Sequence, residues 1–175
     1  LYIHGNMRDE KIDDNNDNFI DAPLTKQINI MNRWQYTNTE KGWVSFLNFR
    51  YLTDNKQSGE LDFNPDVHKK TTTYWGSEIE SERFETSAKL GYVFPETPYK
   101  SIGLQLAYSN HKQNSYFGLK DYNIKHKSFY ANLLLNSIIS NTKNKIATGI
   151  SATYDDFDEL VLTDNYTRNE KSVGA

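Results

Sequence analysis

The residues best suited to chemistry lie near the start of the chain, in Asp13-Asp14-Asn15-Asn16-Asp17-Asn18-Phe19-Ile20-Asp21. Oxygen side chains recur at Asp13, Asn15, Asp17 and Asp21, positions 1, 3, 5 and 9 of a DxDxDG-type calcium loop, with Phe19 at position 7. Calcium takes six to eight hard oxygen ligands, and a tight loop can wrap the ion to supply them. Asn18 stands where Gly is usual, and Asn tolerates a left-handed backbone next best. Position 12 is Leu24 rather than a bidentate Glu, so the motif is not a complete EF-hand loop. The plain alternative is an acidic, solvated loop. Other chemistry is sparse. His4, His68, His111 and His126 are dispersed, and none pairs at i, i+4 as on a zinc-binding helix. No GxSxG elbow or phosphate-cradling glycine loop occurs. The expectation is a protein that is not an enzyme.

The elements that position these residues read as β-strands. The chain has 175 residues, a length that fits one domain. It carries no cysteine, which excludes disulfides and thiolate sites. A net charge of −3 is too small to suggest a nucleic-acid partner. The opening residues lack a basic, then apolar, leader. No apolar run approaches the roughly eighteen residues of a membrane helix. Aromatics make up 14%, with twelve Tyr, enough to form belts or a stacking surface.

Phe84–Tyr108 shows the pattern most clearly. Phe84, Thr86, Ala88, Leu90 and Tyr92 alternate with Glu85, Ser87, Lys89 and Gly91. After Pro95–Lys100, Ile102, Leu104, Leu106 and Tyr108 alternate with Gly103, Gln105 and Ala107. Alternation puts the apolar set on one face. The unit repeats at Thr25–Tyr36, Trp43–Thr53, Lys125–Ile139 and Ile146–Tyr154, and Glu170–Ala175 opens a further strand. Connections alternate in length. Thr37–Gly42, Pro95–Lys100 and Ser140–Asn144 are short, whereas 1–24, 54–76, 110–124 and 155–170 read as long loops. Trp34, Tyr36, Trp43, Tyr92 and Phe94 fall beside the short turns; Tyr51, Phe84, Tyr108, Phe129 and Tyr154 fall near the long loops. Two aromatic belts with aliphatics between them, short turns at one end and long loops at the other describe an outer-membrane barrel.

The expected fold is therefore all-β: an antiparallel transmembrane β-barrel segment of about six to seven strands, filling residues 1–175. Six or seven strands cannot close such a barrel, so the segment belongs to a larger one. A ligand would meet the far loops, where Tyr74, Trp75, Tyr116, Phe117 and Tyr122 could stack on a macrocycle, a catecholate or a sugar. Arg33, Arg50, Arg83, Lys89 and His126 face the lumen. Lys112, Lys125 and Lys127 continue the lipid-facing sides of their strands and would contact lipopolysaccharide phosphates. Glu78, Glu80 and Glu82 would pair with Lys112 or share divalent ions with the lipid; ordinary cross-strand pairing is the alternative.

The stretch DDNNDNFIDAPLTKQINIMNRWQYTNTEKGW, running into VSFLNFRYLTDNKQSGE and on through TSAKLGYVFPETPYKSIGLQLAYSNHKQNSYFGLKDYNIKHKSFYANLLLNS, resembles the barrel of TonB-dependent outer-membrane receptors of Bacteroidetes-type bacteria. The acidic loop followed by PLxKQxNxMNRWxY is its most specific part. The resemblance implies a 22-stranded barrel in the bacterial outer membrane with an N-terminal plug, neither plug nor TonB box being visible here. It implies import of a scarce solute (iron-siderophore, haem, cobalamin or glycan), driven by the TonB complex through that plug. Alternatives are a non-transport outer-membrane barrel, such as a porin or adhesin scaffold, and a soluble all-β glycan-binding module. Apart from calcium at residues 13–21, no cofactor is expected.

Overall fold

A computed structural model gives the architecture and describes residues 1–97, 99–141 and 143–175. The chain forms one antiparallel sheet of eight strands, each hydrogen-bonded to its neighbours in sequence. They are β1 (Tyr2–Arg8), β2 (Leu24–Asn38), β3 (Trp43–Gly59), β4 (Gly76–Val93), β5 (Ser101–Phe117), β6 (Lys120–Ile138), β7 (Lys145–Val161) and β8 (Asp164–Gly174). Among the described residues the only helix is a single turn, α1 (Pro65–His68), capped by the Asn64 side chain, which accepts from the Asp66 amide at 3.0 Å. The sheet is not closed: β1 and β8 are its two edges.

The register extends the sequence reading and corrects it in several places. Residues 1–24 are not all loop, because β1 pairs with β2 from Tyr2↔Met31 to Arg8↔Thr25. Residues 110–124 are not a loop: β5 and β6 run to Phe117 and from Lys120, joined by Gly118-Leu119 alone. Residues 155–170 are likewise strand, with β7 and β8 meeting across Leu162-Thr163, so the last strand begins at Asp164 rather than Glu170. The physical reason is that both faces become polar there, so side-chain alternation fades while the backbone ladder, which needs no side-chain pattern, continues. Gly118 takes the positive φ, 59°, that a two-residue hairpin turn needs. The turns read at Pro95–Lys100 and Ser140–Asn144 contain Pro98 and Thr142, which lie outside the described residues.

In this register the two faces separate cleanly near the short turns. One row crosses seven strands as Trp34, Leu47, Ala88, Leu106, Ala131, Ala152 and Val173. The row beside it carries Phe49, Tyr108, Phe129 and Tyr154. This apolar face is the exposed one: Trp34 is 61% and Ile150 59% accessible. Among the described residues the only buried hydrophobic side chains are Phe63 and Tyr116, at the far end. A sheet ordinarily packs its apolar face against a second layer; here that face is bare. Row upon row of exposed apolar side chains exceeds the scattered surface hydrophobics of ordinary monomers.

Candidate functional site

The chemistry gathers on the opposite, polar face. Alternation puts Arg50, Glu85, Ser109, Ser128, Asp155 and Glu170 in one row there. Small side chains at Ser87, Ala107, Ser109 and Ser128 leave a depression of about 450 Å³, walled by Met31, Asn48, Arg50, Glu85 and Tyr130. Its polar groups are largely satisfied from within the sheet. Arg50 Nη1 donates to Glu85 Oε2 at 3.3 Å and Arg50 Nε to Asn29 Oδ1 at 3.1 Å. Asn48 donates to Ser87 Oγ at 3.1 Å. Arg83 holds the other Glu85 oxygen at 2.8 Å. A depression lined by hydroxyls, an amide and a compensated ion pair together with Met31, Ala107 and the Tyr130 ring suits an occupant that has both apolar and hydrogen-bonding groups.

One row further from the short turns, Arg83, His111, His126, Phe157 and Arg168 stand side by side across β4 to β8. The His126 ring stacks on Phe157 at 4.2 Å and 4°, and the Arg168 guanidinium lies 4.1 Å from the centre of the same phenyl ring. Asp155 holds His126 Nε2 at 2.9 Å, while Glu159 and Glu170 each hold Arg168 at 2.9 Å. The two carboxylates raise the Arg168 pKa above its ordinary value, first through the Glu159 hydrogen bond. Asp155, Phe157, Glu159 and Arg168 escaped the sequence reading, which placed 155–170 in a loop. The turn that joins their two strands, Leu162-Thr163, carries neither glycine nor proline, so no local turn signal marks β7 and β8 as a hairpin.

The five aromatics read as a loop cluster are divided by the structure. Tyr116, Phe117 and Tyr122 lie on strands. Tyr116 is buried, at 3%, its hydroxyl donating to Glu78 Oε2 at 2.8 Å with Lys69 4.7 Å from its ring centre. Burial, and then the Glu78 carboxylate, push its phenol pKa above the ordinary value. Phe117 and Tyr122 point to the polar face and stay exposed. Tyr74 packs on His68 at 4.7 Å and Trp75 on Phe19 at 6.1 Å, both in the 60–75 segment. That segment folds over the Tyr116 side of the strand tips, pinned by buried Phe63, the Lys70–Asp121 pair at 2.7 Å and the Lys69–Glu78 pair at 3.5 Å. Of these five, Trp75, Phe117 and Tyr122 keep an exposed ring.

The acidic loop is ordered by its own side chains. Asp13 accepts from the Asp17 and Asn18 amides at 3.2 and 3.0 Å, Asn15 from the Asp17 amide at 3.0 Å and Asp17 from the Phe19 amide at 2.8 Å. Asn18 is left-handed, with φ 69°, as its place in the motif requires. The loop is stitched to the end of β3 by the Phe19↔Glu60 bridge and by Ile20 N to Gly59 O at 3.0 Å. Among the described residues no three Asp, Glu or His side chains converge as a metal cluster.

On the apolar face beyond the aromatic row, Lys112 and Lys125 sit directly opposite one another. Lys125 reaches Asp158 at 3.9 Å, and Lys127 is registered beside Asp156. Glu82 takes the Tyr51 hydroxyl at 2.9 Å, and Glu78 is engaged by Lys69 and Tyr116, so the ion pairs expected between these glutamates and Lys112 do not form among the described residues. Comparison with known proteins finds no matching family model, no matching curated protein and no matching solved structure.

Proposed function

We propose that this sheet is part of the wall of a transmembrane β-barrel in a bacterial outer membrane, of the TonB-dependent receptor kind. Its apolar face would meet lipid and its polar face the lumen. The observation that carries the reading is the inverted sheet: no second layer covers the apolar face, where the row Leu90, Leu104, Leu133 and Ile150 is exposed, while the row Arg50, Glu85, Ser109, Ser128 and Asp155 on the polar face is half-buried. On β4 the apolar stretch from Phe84 to Tyr92 spans about 27 Å along the strand. Tilted by about 40°, it rises roughly 21 Å, close to the apolar band of roughly 25 Å on such barrels. The strands run 17–19 residues from β3 to β7, well past the ~10 that cross a membrane, so their far ends would stand clear of lipid. Further strands would pair with β1 and β8, since unpaired edges in lipid cost several kcal/mol per group.

On this reading the protein imports a scarce solute, an iron-siderophore, haem, cobalamin or glycan, with energy delivered by the TonB complex through a plug. Exposed Trp75, Phe117 and Tyr122 are its candidate ligand contacts. The full chain, expressed with an export signal, should fractionate with outer membranes and run faster on gels unheated than boiled. Release as a soluble protein without detergent would favour the glycan-binding module instead. Uptake that persists without the TonB complex would favour a porin or adhesin scaffold.

Calcium in the Asp13–Asp21 loop is part of the proposal, supported by the left-handed Asn18 and by the donor spacing. Terbium, as a luminescent stand-in, should bind the loop and be displaced by calcium; no luminescence in the wild type removes the ion. The three lysines are proposed to hold lipopolysaccharide phosphates. Like charges placed directly opposite on a sheet repel, and a bound anion would relieve the Lys112–Lys125 pair. Changing all three to Gln should lower co-purifying lipopolysaccharide, and an unchanged amount would leave only cross-strand pairing.

A further inference from the structure

The row Arg83, His111, His126, Phe157, Arg168 holds one group that the rest of the sheet does not serve. His111 stands between Arg83 on β4 and His126 on β6. Its Nδ1 is buried and meets no hydrogen-bond partner among the described residues. It lies three residues beyond Tyr108, outside the aromatic belt.

The groups facing this position from each side are already occupied. From β4, Glu85 is shared by Arg83 and Arg50. From β7, Asp155 is held by His126, and Glu159 by Arg168. From β8, Glu170 is held by Arg168. From β3, Asp54 is held by Lys56 at 3.0 Å. Arg50, Arg83, His126 and Arg168 thus engage Glu85, Asp155, Glu159 and Glu170 on β4, β7 and β8; Asp54 keeps one buried oxygen, Oδ1, without a partner among the described residues, but it stands on β3 with β4 between it and His111, so no carboxylate on this face of a strand beside His111 is left for its proton.

We propose that His111 is an acid-sensitive joint on the polar face: when it takes up a proton, the contact between β4, β5 and β6 is weakened at this row. Protonation would set a cation beside Arg83 and opposite His126 without a counter-ion, in partial burial. The direction of its titration agrees. Burial first, then the Arg83 charge, then His126, lower the His111 pKa from its ordinary 6.5. A group depressed in the folded state lends stability that is fully present above its unfolded value and is lost as pH falls through the folded value. The sensitive window therefore lies below about pH 6.5. Ordinary carboxylates titrate at about pH 4, below this window. The inference does not depend on whether the apolar face meets lipid.

The test is the melting temperature of the intact folded chain between pH 7.5 and 5, for wild type and His111→Gln. Wild type should lose about 2–4 °C more than the variant across this range. Equal slopes overturn the proposal. Should His111→Gln fail to fold, ring-carbon NMR of the wild-type histidines decides. A His111 midpoint below 6.5 supports the joint, and one at or above 6.5 overturns it.

Discussion

The two ends of the sheet follow different rules. Near the short turns, β2 to β7 carry an apolar face set against a polar one, and the apolar side chains stay bare. At the far end the same strands are polar on both faces, yet this is where the buried hydrophobic side chains are found, Phe63 and Tyr116 beneath the 60–75 segment. The near end is built as if its solvent were apolar. The far end is built like an ordinary wet surface, with ion pairs, a capped helical turn and a small covered core. One continuous ladder runs through both ends, so what changes along the strands is the side-chain pattern, not the fold.

Several substitutions would sharpen or break this contrast, and the largest effect is expected in the apolar rows. Leu104→Arg should cost about 2–4 kcal/mol in lipid, the depth-dependent penalty near a bilayer midplane, against about 0–1 kcal/mol for Asn114→Arg further along the same face of β5. Denaturant titration of the lipid-folded chain measures both. Equal small costs would show that the near end faces water. Next comes Gly76→Ala at the far end, where an added Cβ would lie 2.4 Å from the Phe63 ring. Displacing that ring should cost about 1–3 kcal/mol and expose the 60–75 segment to protease while the near end keeps its protection. Smallest is Leu162→Gly. Leu162 holds φ 59° in the β7–β8 turn, a conformation costing roughly 1–2 kcal/mol for a side-chain-bearing residue. Glycine there should raise stability by about 1 kcal/mol in the same titration, and a loss instead would mean that the leucine side chain has a packing role.

The same contrast explains what could be read from the residues alone. Near the short turns, Phe84 to Tyr92 and Ile102 to Tyr108 alternate between an apolar and a polar face, so strand positions and faces were legible. Beyond Tyr108 and Tyr154, polar residues such as Asn114, Asn123, Asp156 and Asp158 occupy the face that is apolar below. With no contrast between faces, period two vanishes, and strands looked like loops. Tyr116 was legible as an aromatic near a turn but not as a buried one, because Lys69, which lies over its ring, comes some fifty residues earlier. The Asp13–Asp21 spacing and the left-handed tolerance of Asn18 were legible because both are local. The Arg83–Arg168 row was not, since it depends on the register of five strands.

The central claim is that the two ends sit in different media, and the tryptophans report it. Trp34 and Trp43 belong to the near end, Trp75 to the far end, and all three are exposed. Single-tryptophan versions of the full chain, folded into vesicles with brominated acyl chains, can be compared with soluble iodide as the second quencher. The account predicts that bromine quenches Trp34 and Trp43 while iodide quenches Trp75. If iodide reaches all three alike and bromine none, the apolar face does not meet lipid, and the barrel reading is contradicted.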